Sequence, residues 1–443
     1  MEAMKPPIPW PGLLLLLAGY VGLSILYQRA TPPFEASDEG AHCGMVVYLH
    51  EQGRLPLLNR GEVIPLLNQE MTQAPLYYAL SAWYIRRADL SDAEERLIPR
   101  PDSPAGRADR PGFKNIWQPQ PGAKEGSGGM LQAVSELRVL SMLMGLGTVL
   151  LTWLMARHCW PEDGWAAFFA GSWIAFNPMF LFIANSVNND NLVTLLATLS
   201  LYTLSRWPAS QPSLRWPVGL GFVVGLAILA KVSGLILVPV VVVALLTRSS
   251  STWRQRMVSA GALGAVVALV CGWWFLRNHH FYGEWTASQL QTRMLGNGRA
   301  VADPWALLRE WDGFIKSYWG VFGAFNVIYP DWVYRVFFGV SAAAVVMTGW
   351  QLVTRRLRAG WLPLVLLFFS VLNLAGVAYW TSTLWGSQGR LLFPSIGAHA
   401  LWWVMGCSLS PRLGRLFMAS FSLGLFALAA WAALYVIPAS YPT

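Results

Sequence analysis

The sequence predicts an all-α polytopic membrane protein with about eleven transmembrane helices and a long first external loop carrying interfacial helices. Three observations lead there. Apolar residues make up 55% of the 443 residues and charged residues only 12%, a balance too apolar for a water-soluble globule. Mean hydropathy is +0.41, and the apolar residues fall in runs long enough to cross a hydrocarbon core of roughly 30 Å. Many of the 24 Trp, among them Trp10, Trp153, Trp160, Trp207 and Trp216, stand at the ends of those runs, where an interfacial aromatic belt forms.

The runs predict helices near 11–29, 137–156, 164–184, 190–206, 217–230, 233–247, 257–276, 332–353, 361–379, 391–409 and 416–436. The chain reads as a single transmembrane domain over residues 1–443, with residues 31–136 as its first external loop. That loop opens with Pro33-Phe34-Glu35-Ala36-Ser37-Asp38-Glu39-Gly40-Ala41-His42. A helix beginning near Ser37 puts Asp38 and His42 on one face at i, i+4. Two readings stand at this point. One is a catalytic base at the water–lipid boundary; the other is an ordinary helix start, with Ser37 as N-cap and two acids favouring the helix dipole. Further along, Pro75-Leu76-Tyr77-Tyr78 through Arg86-Arg87 mixes aromatic and basic residues as an interfacial helix does. The Pro- and Gly-rich stretch 100–129 predicts irregular backbone.

Residues 216–246 form one long apolar run interrupted by Lys231-Val232-Ser233-Gly234. A single straight helix there would overshoot the bilayer, and a Lys at its middle costs roughly 2.5–3.5 kcal/mol. Two short helices turning at Lys231 avoid both problems. With the N-terminus inside, the split also brings the basic clusters at Arg157-His158, 206–215, 248–256, 355–358 and 412–415 to the cytoplasmic side, as the positive-inside rule requires. The net charge of +9 is therefore a topology signal, and no nucleic-acid partner is expected. Cys43, Cys159, Cys271 and Cys407 show no metal-ligand spacing and read as structural thiols.

The external face then collects polar groups that topology does not require. Asn188-Asn189-Asp190-Asn191 opens a helix, so Asp190 is either a capping acid or a second acidic group facing Asp38. Lys231, Arg277 and Arg390 each stand at an external helix end; singly each reads as a snorkelling side chain, together they suggest a polar cleft. Gln69-Glu70-Met71-Thr72-Gln73-Ala74-Pro75 adds a further carboxylate. No cofactor is expected to be required; a divalent metal held by His42, His279 and His280 with Asp38 is the minor alternative.

In their order along the chain these motifs resemble the GT-C glycosyltransferases, and within them the protein O-mannosyltransferase and aminoarabinose transferase group. That group carries an acidic pair, here Asp38-Glu39, followed by a Pro-Pro-Leu-x-Tyr stretch, here Ala74-Pro75-Leu76-Tyr77-Tyr78. Asp190 occupies the place of its second Asp, Gly225-Leu226-Ala227 with Lys231 is similar to its Gly-Leu-Ala…Lys segment, and Gly389-Arg390 with Phe393-Pro394 resembles its late Gly-Arg-Tyr-x-x-Pro. The departures are Ala74 in place of Pro, and Thr72-Gln73 in place of the Glu-Lys of the aminoarabinose enzymes, which leaves Glu70 as the substitute carboxylate.

The resemblance implies a multi-pass protein of the cell inner or plasma membrane with its active site facing the periplasm or exterior. It implies a polyprenyl-phosphate-linked sugar as donor and a glycan, lipid or protein hydroxyl as acceptor, with inversion at the sugar. Asp38 is then the general base, with Glu39 and Asp190 as its acidic partners; Lys231, Arg390, Arg277, His42, Glu70, Gln73 and Tyr77 are the substrate-binding candidates. The rival from another class is a transporter or flippase of a lipid-linked saccharide, which would want the same charges in a cavity.

Overall fold

The computed structural model describes residues 10–58, 68–118, 129–207, 213–247, 251–296, 298–354, 361–408 and 411–441. Among them, six helices are long and apolar enough to cross a membrane: Trp10–Ala30, Gly129–Cys159, Trp253–Tyr282, Asp331–Gln351, Trp361–Thr383 and Arg412–Ser440. A bent pair, Gly164–Ala175 and Pro178–Ala184, makes a seventh if its two halves count as one span. The other expected spans are shorter helices, Asp190–Arg206, Arg215–Ala230, Leu237–Leu246 and Ile396–Cys407. Among the described residues, the expected count of about eleven membrane-crossing helices is therefore not confirmed. The reason is local: polar or proline-containing turns break the apolar runs.

Each break has an identifiable cause. At the 64° bend, Asn177 caps the second half, its side chain accepting from the Phe180 N–H, and Pro178 fills the first helical position, where no N–H is needed. At Lys231 the backbone turns extended (φ −159°, ψ 140°) between the Arg215–Ala230 helix and a 3₁₀ turn at Val232–Ile236, so the apolar run splits where its one cation stands. Gly389–Ser395 forms a second 3₁₀ segment ahead of Ile396–Cys407, with Pro394 inside it.

Without water to drive apolar association, membrane helices pack through close approach of small residues. Gly221 and Gly225 lie four apart on the Arg215–Ala230 helix, and a Cβ at either would sit 2.8 Å from the Leu263 carbonyl oxygen or 2.7 Å from Val270 Cβ of the Trp253–Tyr282 helix. Aromatic packing fills the wider gaps. Trp173, Trp319, Trp403 and Phe421 join four helices through ring contacts of 4.9–5.9 Å.

The two ends of the bundle differ in chemistry. At one end Arg206 contacts the His158 ring, Arg415 pairs with Asp163 and Trp207 stacks on Trp216, so three of the basic clusters share a face. Residues 208–212, 248–250 and 355–360, which hold parts of the predicted basic loops, lie outside the described residues. The opposite end carries the start of Gly129–Cys159, the start of Asp190–Arg206, Lys231 and the first loop. That loop folds as a helix Glu39–Gln52, a 3₁₀ turn Asn68–Thr72, a helix Leu76–Tyr84 and a short helix Ala93–Arg96. Irregular backbone follows, tied by a Pro99–Trp117 bridge and laid against the antiparallel pair Val321–Phe322 and Val327–Ile328 through Gly106 N–H to the Ala324 carbonyl.

Candidate active site

Asp38 closes the first-loop turn at the N-cap position of Glu39–Gln52, with φ 61°. Left-handed backbone costs a residue with a Cβ about 1 kcal/mol, and Asp is among the few that tolerate it. The expected N-cap role of Ser37 does not occur. Its Oγ instead donates to the Gly323 carbonyl, and no side chain caps the helix. The turn is fixed from below by Glu39. This carboxylate accepts from the Phe34 N–H (2.9 Å), the Val187 N–H (2.9 Å), Arg138 Nε (2.8 Å) and Arg138 Nη2 (2.6 Å). Arg138 completes the clamp by donating to the Thr31 and Pro32 carbonyls at the end of the first helix. Glu39 is fully buried and saturated, so it holds the Asp38 turn and has no lone pair left for a substrate.

Asp38 points the other way, with about a third of its side chain exposed (32%) and Oδ2 2.5 Å from Arg390 Nη2. Arg390 reaches it because Gly389 sits flush against the Trp311–Trp319 helix; a Cβ there would lie 2.2 Å from the Phe314 carbonyl oxygen. The Gly389 N–H donates to Ser317 Oγ at 2.8 Å. Arg390 also donates from Nε to Gln388 (2.8 Å) and lies over the Phe325 ring, while its buried Nη1 has no partner. Burial alone would raise the Asp38 pKa. The positive charge of Arg390, then of His42 and Lys231, more than offsets this and holds the carboxyl below its ordinary value.

Asp190, the first residue of its helix, meets Lys231 Nζ at 2.5 Å. Asn188 supplies the capping contact, accepting from the Asp190 N–H. Arg390 and His42 act electrostatically on Asp190 as Lys231 does on Asp38, so two acids and two cations from four separate segments form one charge cluster.

A second layer positions that cluster. Tyr78 donates to Glu70 (2.6 Å), and His42 Nδ1 lies 2.8 Å from the Tyr78 hydroxyl and 3.3 Å from Glu70. Tyr77 accepts from the Asn188 N–H (2.9 Å), and Asn189 donates to Gln73 (3.4 Å). The 70–78 stretch thus grips the turn that presents Asp190. Arg277 does not join the group. It donates to the Pro56 carbonyl (2.6 Å) and stacks near Phe281 and Tyr282, because its position on the Trp253–Tyr282 helix faces the residues after the first-loop helix. His279 stacks on Trp285, and among the described residues no three His, Cys, Asp or Glu side chains come together as a metal site.

Sequence reasoning assigned no role to Arg138, Glu35, Tyr78 or Trp117. Arg138 carried a legible signal, a charge at the start of an apolar helix. Glu35 is buried and accepts from the N–H groups of Ile116 and Trp117 and from the Asn115 amide, contacts that join residues some eighty positions apart and leave no local trace.

Residues 132–274 match the family described as dolichyl-phosphate-mannose-protein mannosyltransferase. Among solved structures, ArnT from Cupriavidus metallidurans in the apo state is similar over 95% of this chain and 65% of its own, at 17% identity and a TM-score of 0.54. ArnT bound to undecaprenyl phosphate is similar over 98% of this chain and 74% of its own, at 15% identity and a TM-score of 0.54. The archaeal oligosaccharyltransferase AglB from Archaeoglobus fulgidus, in complex with an inhibitory peptide and a dolichol-phosphate, is similar over 97% of this chain and 56% of its own, at 14% identity and a TM-score of 0.50. The chain thus spans 65% of the length of apo ArnT and just over half that of AglB. No curated protein sequence matches it. The chain is a multi-pass membrane protein with the GT-C fold, resembling the mannosyltransferase and ArnT group that its ordered motifs predict.

Proposed function

We propose that this protein is a glycosyltransferase that moves a sugar from a polyprenyl-phosphate donor to an acceptor hydroxyl at the external membrane face, with inversion. The observation that carries the reading is the paired cluster of Asp38 with Arg390 and Asp190 with Lys231, at the bundle end opposite the basic loops. Asp38, held ionised by its neighbours, takes the proton of the acceptor hydroxyl as that oxygen attacks the anomeric carbon. The bond from the anomeric carbon to the phosphate oxygen breaks, and its electron pair leaves with the lipid phosphate. Arg390, through its unpartnered Nη1, and Lys231 stabilise the charge that develops there. Asp190 holds Lys231 in place, and Glu39 holds the Asp38 turn. Two cations supply the charge stabilisation, so the scheme includes no cofactor.

The donor's isoprenoid tail stays in lipid while its phosphosugar reaches the helix ends, which explains chemistry at this depth. The test offers purified protein in nanodiscs a panel of radiolabelled polyprenyl-phosphate sugars with crude envelope acceptor. Consumption of one donor, with an inverted linkage in the product, supports the reading. Movement of a lipid-linked saccharide across sealed liposomes, without a transfer product from any donor, supports the flippase instead.

A further inference from the structure

A cavity of about 370 Å³ opens beside Asp38, walled by Leu97, Pro99, Ile116, Trp117 and Phe325. It belongs to the size range of small-molecule sites. Among the described residues, the lining carries the carboxylates of Asp38 and Glu39, the second already saturated by its four donors, and no Lys or Arg. The two cations that suit a phosphate are bound to Asp38 and Asp190 outside this lining. Two of its walls, Trp117 and Phe325, are aromatic and immobilised. Trp117 Nε1 donates to the Phe34 carbonyl (2.9 Å), and the indole lies so close to Gly40 that a Cβ there would meet it at 2.1 Å. Phe325 is held by the Arg390 guanidinium 5.1 Å from its ring centroid.

From this geometry we infer that the cavity is a binding site for an uncharged saccharide ring, seated against Trp117 and Phe325 with one hydroxyl directed at Asp38. An apolar C–H face suits the aromatic walls, a hydroxyl suits the carboxylate, and an anion is repelled by it. The inference rests on the transferase reading for its role: the ring is the acceptor, and its class is a neutral glycan in preference to a phosphorylated one.

Saturation-transfer NMR on the full chain in nanodiscs tests it, with uncharged methyl glycosides and the matching hexose 1-phosphates as probes. A methyl glycoside should receive saturation, and a hexose 1-phosphate should not displace it. Trp117→Ala and Phe325→Leu should each weaken binding about tenfold, while Trp117→Phe should restore most of it. Because Trp117→Ala removes a support of the loop, Phe325→Leu keeps the test independent of loop folding. Equal binding of the hexose 1-phosphate, or glycoside binding indifferent to both substitutions, overturns the inference. Aromatic-dependent glycoside binding without turnover of any lipid donor leaves this site standing and removes the proposed reaction. Turnover in which the acceptor KM ignores Trp117 and Phe325 does the reverse.

Discussion

At the residue scale the site depends on two carboxylates, adjacent in sequence, that do different work. Glu39 is buried against Arg138, and Asp38 faces outward with Arg390, because the left-handed turn at Asp38 sends neighbouring side chains apart. Asp38→Asn should lower kcat about a hundredfold with normal folding. Glu39→Gln and Arg138→Met should act on stability. Each leaves a buried charge without its partner, a loss of about 3–5 kcal/mol that thermal unfolding of the detergent-solubilised protein should register. The sign of the Asp38 shift makes a separate prediction. Its pKa is held down, so the ionised base persists as pH falls, and the acid limb of the pH–rate profile should lie below the ordinary Asp value of about 3.9. An acid limb near pH 6 would contradict Asp38 as the titrating group.

At the element scale, close approach decides where the helices and loops can sit. Replacing Gly225 by Leu should drive the Arg215–Ala230 helix off Val270 and displace Lys231 at its end; lower thermal stability together with a reduced kcat is the expected pair of readouts. The loop over the cavity is held by Glu35. Burial pushes its carboxyl up to about 7, against the opposing effect of its three donors, with Glu39 adding to the rise and Tyr441 nearby. A raised acid stabilises the folded contact in its protonated form. That contribution is full below the ordinary Glu value of about 4.3 and is lost as pH rises through about 7. Limited proteolysis of the 97–118 segment should therefore accelerate between roughly pH 5 and pH 7.5, and Glu35→Gln should flatten that dependence. Cleavage that slows over the same range would reverse the assigned sign.

At the scale of the whole molecule, hydropathy made the helical membrane fold legible, since apolar runs and their flanking Trp are local signals. The break at Lys231 was legible for the same reason, because a cation in a long apolar run is costly. Helix lengths were less so. The bend at Asn177-Pro178 is a local cap inside one apolar run, whereas the shortening at Gly389 follows from a turn whose partner, Ser317, lies far away in sequence. The same distance hid the Glu39–Arg138 clamp and the Trp117 wall, whereas Asp38, Asp190, Lys231 and Arg390 announced themselves as charges at helix ends. Arg277 gave the same signal and faces elsewhere, so the signal marks a helix end and does not say which way the side chain turns. The proposed orientation makes its own prediction. In a chain without its native cysteines, Ser91→Cys should react with an impermeant maleimide from the external side and Ser251→Cys only from the cytoplasmic side; reversed labelling would move the active site to the other face.

The central claim, that Asp38 activates an acceptor for attack on a lipid-phosphate-linked sugar, is tested most directly by transfer from the consumed polyprenyl-phosphate donor, with wild type and Asp38→Asn side by side in nanodiscs. The account predicts product from the wild type, and a rate lower by about a hundredfold or more in the variant, which should still bind the donor through Arg390 and Lys231. Near-normal turnover by Asp38→Asn would contradict it.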